Sequence, residues 1–389
     1  MTFVHIHPAT RIVAGEGALD QLASECDRMA GRRAMVVCGR TVASGPQLTA
    51  ARAALGDRLV EVFDGVRPHG GLSSLQAAAD RVAALDVDIL VSVGGGATID
   101  SAKCIALLIA RTEPLERYRV QRGAHGHVDG LAIPPTIAHV AIPTTAGSSS
   151  EIMPWAGIRD EKTRQKMLFR DPQLVPDVAI LDPDVVSHTG PELTSSSAVT
   201  AIARAVECMY SRDRQPFAEA YALQSLRLMS TALPAVLADP CDLGARHRTQ
   251  VAATLSGIAA DNAMVSVVHA VGHSVGGRYA LQHGVAHRML LPGALERCLI
   301  GTGDIQIKMA QALDLDHPWR DPDDAGRAVS DRIGELLDAL PLPRRLRDVG
   351  VTEDELDELV EQTHGDPMFA HAPASFGEDE LRSLLREVW

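Results

Sequence analysis

The chain has 389 residues, 46% of them hydrophobic and 22% charged, the balance of a soluble globular protein with room for two domains. Its 50 acidic and 37 basic residues give a formal charge of -13, which argues against a nucleic-acid or anionic-membrane partner, because either selects a basic face. The six cysteines (Cys26, Cys38, Cys104, Cys208, Cys241 and Cys298) include no CxxC pair, so neither a disulfide framework nor a structural zinc site is expected.

The opening stretch MTFVHIHPATRIV lacks a basic-then-apolar signal pattern. No run approaches the roughly 20 apolar residues that span a bilayer, and a cytoplasmic location is expected. Short apolar runs at residues 33–38 (RAMVVC), 59–63 (LVEVF), 88–93 (DILVSV), 139–143 (HVAIP) and 177–181 (DVAIL) read as buried strands. Between the second and third, SLQAAADRVAALDV has apolar residues at helical spacing. Strands alternating with helices imply a parallel sheet covered on both faces. Beyond Pro183 the strand signals stop, and Ala/Leu-rich helices are expected over 196–210, 216–237, 246–260, 304–313 and 323–340. The pattern predicts an α/β domain over residues 1–185 and an all-helical domain over 186–389. The acidic stretch TEDELDELVEQ is read as a solvated helix face.

GGGATIDSAK follows the strand DILVSV and opens a helix. Gly94, Gly95 and Gly96 let the backbone approach a ligand, and the helix N-terminus offers free N–H groups and a positive dipole end, a combination suited to pyrophosphate. The alternative is a tight strand-to-helix turn with Asp100 as a dipole partner. A second loop, PTTAGSSSE, follows HVAI and presents the hydroxyls of Thr144, Thr145, Ser148, Ser149 and Ser150. Two small-residue loops at strand ends would make a crevice where open α/β sheets bind ligands; the second taken alone reads equally well as a polar loop.

In the predicted helical domain, His269 and His273 are four apart, as are His283 and His287. Residues four apart share a helix face, and a break is expected at Gly276-Gly277. Two facing helices would then aim imidazoles, the group that ligates metals and titrates near neutral pH, into one site.

GGGATIDSAK, IPTTAGSSSE, PDVAILDP and HAVGH-x9-HGVAH, in this order, resemble the iron-containing (group III) alcohol dehydrogenase superfamily, over a stretch from Thr10 to about Pro292. SSEIMPWAGI, RAVECMYSRDRQP, the HGG at His69 and the position of His287 resemble its maleylacetate reductase branch, whereas Asp100 resembles the ordinary alcohol dehydrogenases. The resemblance implies a Rossmann-like dinucleotide-binding domain, a helical domain of dehydroquinate synthase-like architecture, and hydride transfer between a nicotinamide and a carbonyl or alcohol. It implies that Gly94, Gly95 and Gly96 cradle pyrophosphate, that Thr144, Thr145 and Ser148 line the cofactor with Asp100 and Lys103 beside them, and that His273 lies near the nicotinamide. Lys103 and Lys166 fall at lysine positions of the motifs, where each is read as touching phosphate or substrate or as a surface charge.

Metal-dependent members hold Fe or Zn with an Asp and a His four apart on one helix and two later His. The matching segment here is AVTAIARAVE, with Thr200 at the Asp position and Arg204 at the His position. Only His269 and His283 remain, and a guanidinium beside two imidazoles repels a cation, so no metal is expected. Arg204 is read as binding an anionic substrate group or the oxyanion, with His269, His273 or His283 as general acid. The bland alternative pairs Arg204 with Glu207 or Asp261.

After RAMVVC stands Gly39-Arg40 where NAD-specific relatives carry an acidic residue, which favours NADPH over NADH, or use of both. His364 and His371 lie in a C-terminal loop, HGDPMFAHAP, that departs from the family pattern. The expected protein is a homodimeric reductase of a small, anionic oxo acid of maleylacetate type. The rivals are a conventional Fe/Zn-dependent alcohol or aldehyde dehydrogenase, and a repurposed lyase, cyclase or cofactor-binding pseudoenzyme.

Overall fold

The structure, a computed structural model, describes residues 2–66, 71–123, 126–159, 166–279, 281–315 and 318–389; His69 lies outside them. The chain forms two compact units, residues 7–189 and residues 190–389 together with 1–6.

The first unit carries strands β1 (Arg11–Ala14), β2 (Ala34–Gly39), β3 (Leu59–Val66), β4 (Ile89–Gly94), β5 (Gln121–Gly123), β6 (Gly126–Val128), β7 (Ala138–Pro143), β8 (Trp155–Arg159), β9 (Lys166–Arg170) and β10 (Val178–Leu181). Six of these make a parallel sheet in the order β1-β10-β7-β4-β2-β3, and β5-β6 and β8-β9 are antiparallel hairpins. Its helices are α1 (Leu22–Arg28), α2 (Arg40–Ala43), α3 (Pro46–Leu55), α4 (Leu72–Ala84), α5 (Gly96–Ala110) and α6 (Pro183–Ser187).

Strand side chains alternate between sheet faces, and each face of this sheet has its own core. Met35, Val37 and Leu90 pack with Leu75 of α4 and with Ile105 and Leu107 of α5. Val36, Ile89 and Val91 pack with Leu22, Leu48 and Leu55 from α1 and α3. Burial on both faces makes the central strands continuous apolar runs, the property that marked them in the sequence.

β1 was not expected. It is an edge strand, Arg11 opposite Val178, with its side chains largely exposed, so it carries no apolar run. The two hairpins were not expected either.

The second unit carries α7 (Pro191–Tyr210), α8 (Pro216–Ala238), α9 (Leu243–Ala263), α10 (Val267–Tyr279), α11 (His283–Leu299), α12 (Asp304–Ala312), α13 (Pro322–Asp338), α14 (Leu356–His364) and α15 (Glu378–Val388). Among the described residues no single helix is long and apolar enough to cross a membrane. The expected break at Gly276-Gly277 is corrected: both glycines lie inside α10, which runs on to Tyr279. A helical glycine costs about 1 kcal/mol relative to alanine. Burying Val267, Val268, Val271 and Val275 completely along α10 outweighs that cost.

Candidate active site

The two small-residue loops meet at the carboxyl ends of neighbouring parallel strands, where Gly94 of β4 stands opposite Pro143 of β7. The amide of Thr144 donates to the carbonyl of Gly94 at 3.0 Å. Gly95 precedes α5, and Gly96 begins it. A β-carbon on Gly96 would sit 2.5 Å from that of Ser148, and one on Gly95 would sit 3.3 Å from the Thr145 hydroxyl. Close approach between the loops therefore requires glycine here. Gly94, Gly95, Gly96, Thr144, Thr145 and Ser148 are thus brought together beside the first turn of a 15-residue helix, an arrangement suited to a phosphate.

Two residues expected at the cofactor have hydrogen-bond partners within the protein. Lys103 is 1% exposed, and its ammonium donates to the carbonyls of Met153 at 2.7 Å and Trp155 at 2.8 Å. A phosphate role for it is corrected on that ground. Asp100 accepts from the Ser150 hydroxyl and from the amide of Gly157, so its carboxylate is committed to the same stretch of chain. One turn apart on α5, these side chains clamp the path from the second loop into β8. Lys166 begins β9. Gly39 ends β2, and Arg40 stands exposed as the first residue of α2.

In the helical unit, α7 presents Thr200, Arg204 and Glu207 along one face. The Thr200 hydroxyl donates to the carbonyl of Ser196 at 3.1 Å, and Arg204, 6% exposed, donates to Ser256 Oγ at 3.3 Å. The four histidines of α10 and α11 form one cluster. Ring centroids are 4.2 Å apart for His269 and His287, 5.6 Å for His273 and His283, 6.0 Å for His283 and His287, and 6.5 Å for His269 and His273. Gly272 makes room: a β-carbon there would lie 2.7 Å from His287 Nε2.

Glu207, fully buried, accepts from the amide of Val268 at 2.7 Å and from His269 Nδ1. It satisfies free amides at the start of α10, which helix geometry leaves without partners. The sequence offered Glu207 as one partner for Arg204; its capping of α10, which begins at Val267, is something spacing does not reveal.

Burial pushes the Glu207 carboxyl up to about 7. Burial, then the charge of Arg204, holds His269 well below the usual imidazole range. Burial first, and then the neighbouring imidazoles and Arg204, does the same to His287. His269 Nδ1 and Glu207 therefore share one buried hydrogen bond in which burial disfavours charge on either partner. Burial thus disfavours the protonated form of His269 from which it was expected to act as a general acid. The Nε2 of His269 and both ring nitrogens of His287 are buried without hydrogen-bond partners.

An iron or zinc ion does not fit this donor set. Among the described residues no group of three or more His, Cys, Asp or Glu side chains is placed to hold a metal ion. At the expected positions stand a hydroxyl bonded to its own helix and a buried cation that repels another cation.

Residues 9–183 match the iron-containing alcohol dehydrogenase family, and residues 194–389 match the Fe-containing alcohol dehydrogenase family, C-terminal. The chain belongs to the iron-containing alcohol dehydrogenase family. It is 30% identical to the 1,3-propanediol dehydrogenase of Citrobacter freundii over 382 residues, 96% of each chain. It is 34% identical to maleylacetate reductase 2 of Cupriavidus pinatubonensis over 288 residues, 74% of this chain and 71% of the relative. Its fold superposes on the crystal structure of a 1,3-propanediol oxidoreductase with a TM-score of 0.93 at 26% identity, covering all of both chains. On the maleylacetate reductase of Agrobacterium tumefaciens the TM-score is 0.79 at 28% identity, covering 100% of this chain and 98% of the other. Like other members of the iron-containing alcohol dehydrogenase family, the protein is a nicotinamide-dependent oxidoreductase.

Proposed function

We propose that the protein reduces a small oxo acid, of the maleylacetate type, with NADPH or NADH and without a metal. The observation that carries the reading is Arg204, buried among the histidines where the family's metal ligands would stand. A guanidinium offers fixed donors to a carboxylate or to the oxyanion that develops as hydride reaches a carbonyl carbon. In a buried site that charge acts with little screening by water. His273, with its side chain 26% exposed, is the histidine suited to give a proton to the oxygen. The maleylacetate reductase relatives support an acidic substrate. NADPH is favoured because Arg40 is exposed at the carboxyl end of β2, next to the strand that carries the glycine loop, and its guanidinium makes no hydrogen bond or ion pair among the described residues, leaving it available to a 2′-phosphate.

The test is consumption of NADPH and NADH against a panel of oxo acids and matched uncharged aldehydes, with and without chelator. Chelator-resistant turnover confined to acids is expected. Chelator-sensitive turnover of uncharged aldehydes would replace this reading with that of a conventional Fe/Zn-dependent alcohol dehydrogenase. Tight nicotinamide binding without turnover would favour a repurposed fold.

A further inference from the structure

His273 has a partner far away in the sequence. Its Nδ1 lies 3.0 Å from Oδ2 of Asp366, 93 residues on, in the turn that follows α14. The second carboxylate oxygen accepts the amide of Met368 at 2.8 Å. The Asp366 backbone is held too: its amide donates to the carbonyl of Thr363 at 2.9 Å, and its carbonyl accepts from the amide of Phe369 at 3.1 Å. Thr363 Oγ1 donates to Ser274 Oγ at 3.2 Å, beside His273 on α10. At the far end of the turn, His371 pairs with Asp213, and its carbonyl accepts the amide of Arg212 at 3.1 Å. The carboxylate can therefore neither rotate nor drift away from the imidazole. An ionised carboxylate only accepts hydrogen bonds, so Nδ1 must carry the proton and Nε2 is left as the working nitrogen.

We propose that Asp366 is the positioning residue of this enzyme, fixing His273 in its Nδ1–H form so that Nε2 exchanges the proton with the substrate oxygen. The inference rests on the reductase reading above and adds a residue to it. In reduction, hydride leaves the nicotinamide with its electron pair and bonds to the carbonyl carbon. The C=O π pair moves onto oxygen, and the proton on Nε2 of the imidazolium forms the O–H bond, leaving a neutral Nδ1–H imidazole. Asp366 holds the ring in place and selects its Nδ1–H tautomer, the part a third group plays behind a catalytic histidine. Asp366→Asn has one acceptor oxygen only. With that oxygen kept by Met368, the amide NH2 faces Nδ1, which must then accept, and the proton moves to Nε2.

Two measurements on the full chain test this. In the first, histidines are labelled with 15N and the His273 signals are assigned by their loss in His273→Ala. Wild type is expected to show a protonated Nδ1 and a pyridine-type Nε2, and Asp366→Asn the reverse. A wild-type Nε2–H tautomer overturns the proposal, and this readout needs no substrate. The second is a double-mutant cycle on oxo acid reduction. Asp366→Asn is expected to lower kcat about 100-fold while the KM for nicotinamide stays within about twofold. In a His273→Ala background it is expected to add no further loss. Losses that multiply would mean Asp366 acts through the fold rather than through His273, and would equally overturn it. Failure of wild type to reduce any oxo acid sinks the reductase reading, and the tautomer measurement then decides the placement of Asp366 by itself.

Discussion

Replacing Glu207 by glutamine tests how burial and helix capping are balanced at the centre of the histidine cluster. The folded carboxyl is raised from 4.5 to about 7, with burial as the largest cause and the amides of α10 opposing it. An acid whose folded value lies above its unfolded one binds more protons folded than unfolded between the two. Its contribution to stability is present in full below about 4.5 and is lost as pH rises through about 7. A displacement of this size corresponds to about 3 kcal/mol. Glutamine keeps one acceptor for the amide of Val268, but its NH2 must face His269 Nδ1, which then has to accept. That reversal puts the ring proton on Nε2, which is buried without a hydrogen-bond partner among the described residues, at a cost of about 1–3 kcal/mol. The variant does not titrate, so its penalty relative to wild type is expected to be largest near pH 5 and to shrink by up to about 3 kcal/mol by pH 8. Urea unfolding of both proteins at pH 5, 6, 7 and 8 measures it. A penalty that is flat or grows with pH would refute the reasoning, because the α10 amides would then be holding Glu207 ionised against burial.

Other substitutions separate packing from chemistry. A β-carbon on Gly284 would collide with the backbone of Ser196, whereas one on Gly277 meets nothing. Gly284→Ala is therefore expected to lose at least about 3 kcal/mol in denaturant unfolding, and Gly277→Ala to gain about 1 kcal/mol in the exposed interior of α10. Lys103→Met removes the donor for two buried carbonyls and is expected to cost about 2–4 kcal/mol of unfolding free energy; unchanged stability would return Lys103 to the cofactor. Arg40→Ala is expected to raise the KM for NADPH about tenfold and leave that for NADH unchanged, measured by absorbance with the same substrate.

What the sequence disclosed follows burial. β2, β4, β7 and β10 are packed on both faces, so each was visible as an apolar run. β1 and the two hairpins escaped because one is exposed at the sheet edge and the others are short. The glycine loop and the Thr/Ser loop were found separately in the sequence, and their contact is a product of strand order. The protein partners of Lys103 and Asp100 were not legible because a motif shows that residues lie on the helix after a glycine loop, not which way that helix turns them. The histidine spacing placed four imidazoles together, yet the partners that set their states, Glu207 and Asp366, come from distant segments. Long-range polar contacts leave no periodicity in a sequence.

The membership of residues 1–6 in the helical unit makes the chain's beginning part of its second half. The amide of Ile6 donates to Asn262 Oδ1 at 2.6 Å, and His5 pairs with Gln215 at 2.8 Å. These residues precede the helices they bind by about 210 and 256 positions, so the helical unit closes only through contacts that span much of the chain. A fragment beginning at residue 190 lacks that closing segment. A circular permutant that links residue 389 to residue 1 and opens the chain in a surface loop of the α/β unit would make the segment contiguous with its own unit, and would convert a long-range closure into a local one.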